Sequence, residues 1–65
     1  MSDTLPAFIT NEREHELNAL RDTFPFRIVY AAFNPLTGEY RASAVVTMHA
    51  PNRLVREGWQ VVRVR

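Results

Sequence analysis

The segment Asn34-Pro35-Leu36-Thr37-Gly38-Glu39 constrains this chain most, because it reverses the path between two runs that read as β-strands. Pro35 presets φ for the first turn position, and Gly38 can take the left-handed conformation that brings the chain back. Before the turn, Phe26–Phe33 (Phe-Arg-Ile-Val-Tyr-Ala-Ala-Phe) is rich in aromatic and β-branched residues. After it, Tyr40–Met48 reads as the second strand, and the pair is expected to form a hairpin.

Loop length then decides which side chains share a face, since a one-residue slip turns a whole strand over. A five-residue loop (Pro35–Glu39) pairs Asn34 with Tyr40 and puts Arg27 and Arg41 on one face. A four-residue loop (Pro35–Gly38) pairs Phe33 with Tyr40 and separates those arginines. The four-residue loop is preferred, because Gly38 then fills its last position. Val29, Ala31, Phe33, Tyr40, Ala42, Ala44, Val46 and Met48 would form one apolar face. Phe26, Ile28, Tyr30, Arg41, Ser43, Val45, Thr47 and His49 would form a mixed one.

Outside the hairpin, punctuation marks three further elements. Asn11 reads as a helix N-cap with Glu14 completing a capping box, and Thr10 is the competing cap. Leu17, Leu20 and Phe24 follow at helical spacing as a narrow apolar stripe. The helix should stop near Thr23, because Pro25 disfavours helical geometry at Phe24. Pro51 suits a first helical position, Asn52–Glu57 a short helix, and Gly58 its end. Trp59–Arg65 reads as a third strand. The local pattern Leu54–Val62 resembles the helix-Gly-Trp-strand step of several small β-α-β domains, and implies packing rather than a function.

The order is thus α-β-β-α-β, an α+β fold. About ten residues link the second strand to the third, enough for a crossover that passes over the first strand. This predicts a three-stranded antiparallel sheet of order 2-1-3, with the most apolar strand in the centre. Both helices are expected on one face, leaving the other open as a binding or dimer surface. Residues 1–65 make a single small domain, with 1–7 as a flexible tail.

Charge is distributed unevenly. Residues 1–25 carry five acids against two arginines, a net −3, while residues 26–65 carry six arginines against two acids, a net +4. The total of +1 hides this polarity, and the basic part could meet an acidic partner. There is no lysine. GC-rich coding is a sufficient explanation; selection of arginine for bidentate carboxylate or phosphate contacts is the functional one. With no cysteine in 65 residues, neither disulfides nor thiolate metal sites can staple so small a core. Self-association is the common alternative remedy, so a homodimer is expected. Neither a secretory leader nor an apolar run of membrane-spanning length is visible, and a cytoplasmic location is expected.

The residues give little chemistry to build an enzyme on. His15 and His49 are isolated, and Glu12 and Glu16 make a poor metal-ligand set with His15. Glu39 and Glu57 are single acids in a turn and at a helix end. The two glycines do not make a phosphate loop, and Ser43 lacks a nucleophile elbow. No cofactor, metal or small-molecule substrate is expected. The expectation is a non-enzymatic interaction or regulatory protein that binds a protein partner, or itself, through a sheet face or edge. Interfaces favour tyrosine, tryptophan and arginine anchors, so the candidate contact residues are Tyr30, Arg41, Trp59 and Arg63, with Trp59 also a core candidate. The alternative is a single-stranded nucleic-acid module. It would stack bases on Phe26 and Tyr30 and hold phosphates with Arg41, Arg63 and Arg65.

Overall fold

Pro25 and Gly58 end the two helices, and the strands fall between and after them. The computed structural model describes residues 6–64. The elements are α1 (Asn11–Thr23), β1 (Ile28–Phe33), β2 (Tyr40–Val45), α2 (His49–Arg56) and β3 (Gln60–Arg63). The sheet is antiparallel with order β2-β1-β3, the α+β arrangement expected from the sequence.

The hairpin adopts the four-residue loop. Phe33 pairs with Tyr40, and the Asn34 N–H donates to the Glu39 carbonyl at 2.9 Å. Gly38 has φ of 78°, and its N–H closes onto the Asn34 carbonyl at 2.8 Å. Asn34 Oδ1 also accepts from the Leu36 N–H at 2.9 Å, a side-chain clamp on the turn.

Thr10, not Asn11, caps α1. Its hydroxyl accepts from the Arg13 N–H at 3.3 Å while its backbone stays extended, and Asn11 is already the first helical residue. The Asn11–Glu14 capping box therefore does not form. At the other end Phe24 leaves helical geometry (φ −124°, ψ 70°), as a residue before proline must. The chain then turns through Pro25 and Phe26, with the Arg27 N–H on the Phe24 carbonyl, so β1 starts at Ile28 rather than Phe26.

The second helix begins earlier than its proline suggested. Pro51 lies at the third helical position, still in the first turn, where N–H groups have no intrahelical acceptor and the missing donor costs nothing. β2 stops at Val45 rather than Met48, and Val46, Thr47 and Met48 form the bend that leads into α2. Gly58, with φ of 92°, turns the chain out of α2, and the Trp59 N–H bonds the Leu54 carbonyl at 3.0 Å.

One expectation is corrected: the helices lie on opposite faces of the sheet. Leu17 of α1 packs on Val29 and Ala31, whereas Leu54 of α2 packs with Tyr30, Ala32 and Trp59. The reason lies in β1. Residues of both parities, Val29 and Ala31 on one side and Tyr30 and Ala32 on the other, are apolar and buried. A central strand of this kind needs cover on both sides, and each helix supplies one. No open sheet face remains over β1. Phe8 and Ile9 add to the α1 side, which extends the ordered core to residues assigned no role by periodicity. Of the expected tail, 1–5 lie outside the described residues, and Pro6 begins a turn closed by the Ile9 N–H at 3.0 Å.

Candidate functional site

The four candidate contact residues fall on one side of the sheet, the side under α2. Ala32 pairs with Arg41 on one neighbour and Val61 on the other, and Tyr30 pairs with Ser43 and Arg63, so these side chains share a face. Tyr30 is 5% exposed and Trp59 8%, and both pack in the core against Leu54. Neither ring is available to a partner or to a stacked base in this fold. Arg41 and Arg63 remain at the surface.

Arg41 is the link between this core and solvent. Its guanidinium carbon lies 4.8 Å from the Trp59 ring centroid, and Nη2 is 4.0 Å from Glu39 Oε2. A groove of about 300 Å^3 opens beside it, lined by Tyr30, Arg41, Ala50, Arg53, Leu54 and Glu57. Arg53 Nε donates to Glu57 Oε2 at 3.3 Å across one helical turn. Each arginine of the groove thus has a carboxylate beside it, which weakens its attraction for an external anion.

The opposite side holds a larger groove, of about 540 Å^3, between α1 and the outer margin of β2. Glu16, Leu20, Thr23 and Phe24 form its helical wall, and Tyr40 and Ala42 its strand wall. The Tyr40 hydroxyl is buried and has no hydrogen-bond partner among the described residues. Burial raises the pKa of this phenol above its ordinary value, the Glu16 carboxylate adds to the rise, and Arg13 opposes it. Arg13 is already engaged: its Nη1 donates to the Phe8 carbonyl at 2.6 Å, and its guanidinium lies 4.1 Å from the Tyr40 ring centroid. Phe8 in turn stacks on Phe33 at 5.4 Å and closes the hairpin end of this side.

Backbone polarity along β2 gives the groove its second property. In an antiparallel ladder, hydrogen-bonded and non-bonded pairs alternate. The Asn34–Glu39 bond sets that alternation from one end, and the Val64 N–H bonded to the Val29 carbonyl (2.8 Å) sets it from the far side of β1. Both put the N–H and C=O of Arg41, Ser43 and Val45 toward β1. Those of Tyr40, Ala42 and Ala44 point away from the sheet, where β2 has no strand neighbour among the described residues.

Tyr40, Ala42, Glu16 and Leu20 were not singled out as contact residues by sequence reasoning. A signal existed in the α1 stripe. Of Leu17, Leu20 and Phe24, only Leu17 is buried, so the stripe is wider than the core it covers. Among the described residues no group of three or more His, Cys, Asp or Glu is placed to hold a metal, and no helix is long and apolar enough to cross a membrane. Arg65 lies outside the described residues. The chain is an α+β domain with a free strand edge beside a helix-walled groove. Comparison with protein-family models, curated proteins and solved structures finds no match.

Proposed function

We propose that this chain is a non-enzymatic interaction domain that accepts an extended segment of a protein partner as a fourth strand on β2. The observation that carries this reading is the row of outward N–H and C=O groups at Tyr40, Ala42 and Ala44 on an edge that lacks the usual guards. Edges are commonly blunted by proline, lysine, bulges or inward charges. β2 has no proline or lysine, and its pairing with β1 is continuous from Tyr40 to Val45. Its one charge, Arg41, lies over Trp59 instead of standing guard at the edge. Three of its residues, Ala42, Ser43 and Ala44, are small enough to let another backbone approach. Strand addition supplies affinity through main-chain bonds and specificity through pockets for alternate side chains.

Panning a random peptide library against the chain, with amide hydrogen exchange read on the complexes, tests the reading. Slowed exchange at Ala42 and Ala44 is expected. Ala42→Pro, which deletes one outward donor, should abolish binding while leaving the circular dichroism spectrum unchanged. Protection confined to other elements would sink the proposal.

A further inference from the structure

We propose that the segment received by β2 is basic and apolar: it seats an apolar side chain in the groove between α1 and β2, and sets a lysine or arginine two residues away against Glu16. The inference rests on the strand-accepting reading.

Register leads to it. The outward backbone groups belong to Tyr40, Ala42 and Ala44, whose side chains lie on the α1 side with Val29 and Ala31. Residues that bond to them from an added antiparallel strand stand directly opposite, and directly opposite residues share a face. Alternate side chains of the incoming segment are therefore delivered over the groove. The residue facing Ala42 meets a small side chain below it and Leu20, Thr23 and Phe24 along the helical wall, a mostly apolar seat. The residue facing Tyr40, two positions along, arrives beside Glu16 and the Tyr40 hydroxyl.

Charge selects what that second residue is. Glu16 is the one carboxylate among the groove's lining side chains, and no arginine or histidine lines it. Of the arginines nearby, Arg13 is held by the Phe8 carbonyl and the Tyr40 ring, and Arg27 lies 5.8 Å from the Phe24 ring centroid. Helix α1 as a whole carries Glu12, Glu14, Glu16 and Asp22 against Arg13 and Arg21, so its field favours a cation. An acidic segment would meet Glu16 with like charge.

The test uses random decapeptides displayed on phage and panned against the full chain, after its solution mass has been measured by light scattering. A monomer is expected, with enriched peptides that share an apolar residue and a lysine or arginine at two-residue spacing. Glu16→Lys should weaken the basic peptides by at least about tenfold and turn selection toward acidic ones. Ala19→Phe, on the exposed rim of the groove, should block binding while circular dichroism shows the fold retained. Binders that protect the Ala42 and Ala44 amides without this spacing would leave strand addition standing and overturn the inference. Binders that protect neither amide, or a failure to enrich any peptide, would overturn both. A dimer that already protects these amides without peptide would show that the groove takes a second copy, and would overturn the inference as well.

Discussion

The guanidinium of Arg41 lies over the indole of Trp59, 4.8 Å from its centroid, across the width of the central strand. Arg41 is on β2 and Trp59 lies just before β3, so this contact bridges the two outer strands above Ala32. The Arg41 side chain is 56% exposed, so its stacking and its pairing with Glu39 are both partly hydrated. Arg41→Ala should cost about 0.5–1 kcal/mol by urea denaturation. Trp59 is the only tryptophan, and losing its cover should shift its emission to the red. An unchanged spectrum would mean that the stack does not persist in solution.

Tyr40→Phe should stabilise the domain. The variant removes a buried hydroxyl without a partner, and the penalty for burying such a group is about 1–3 kcal/mol. Thermal melts at pH 7 check this. A lower melting temperature would indicate that the hydroxyl has a partner in solution.

The same residue predicts a pH dependence. Burial first, and Glu16 second, raise the folded-state pKa of Tyr40 above the ordinary 10.0. The folded chain then holds the phenolic proton more tightly than the unfolded chain. The stability tied to that proton is fully present below pH 10.0 and is lost as pH rises beyond it, because the unfolded state ionises first. The stability gap between Tyr40→Phe and the parent should be flat through neutral pH and widen in favour of the variant above pH 10.0. Paired urea titrations measure it, and a constant gap would exclude the raised pKa.

Two neighbouring prolines should behave differently. At Ala42 the N–H points out of the sheet, so Ala42→Pro should cost no more than about 1 kcal/mol. At Ser43 the N–H points toward Tyr30, so Ser43→Pro removes a ladder bond, orphans its acceptor and should cost about 1–3 kcal/mol more than Ala42→Pro. Equal losses in denaturant melts would mean that the assigned alternation of β2 is wrong.

Gly58→Ala should destabilise by about 1 kcal/mol through backbone geometry alone. Gly58 has φ of 92°, while a methyl group there would meet nothing within 4 Å. Gly58→Asn should be milder than Gly58→Val, because asparagine tolerates positive φ better. Equal stabilities for the three variants would argue against the left-handed turn.

The hairpin, its register, the end of α1 and the strand order were legible in the residues, because each depends on signals acting over a few positions. Pro25 restricts Phe24, Gly38 permits the turn, and the four-residue loop then decides the parity of every side chain from Tyr40 to Val45. The cap of α1 was legible only as a choice between Thr10 and Asn11, since both offer a side-chain acceptor within one residue of each other. The length of α2 was misread because Pro51 is compatible with any position of the first turn.

Which residues are core and which are surface was decided by the tertiary structure. Tyr30 and Trp59 carry the chemistry of contact residues, yet both are buried once α2 crosses their side of the sheet. Periodicity states that β1 is apolar on both parities, but not how many helices will cover it. That depends on where a crossover of fixed length can dock, and on the free energy gained by burying both faces together. The α1–β2 groove has the same origin. Glu16, Leu20, Tyr40 and Ala42 are unremarkable one at a time, and they become a site only because the helix lies beside a strand edge with its backbone turned outward.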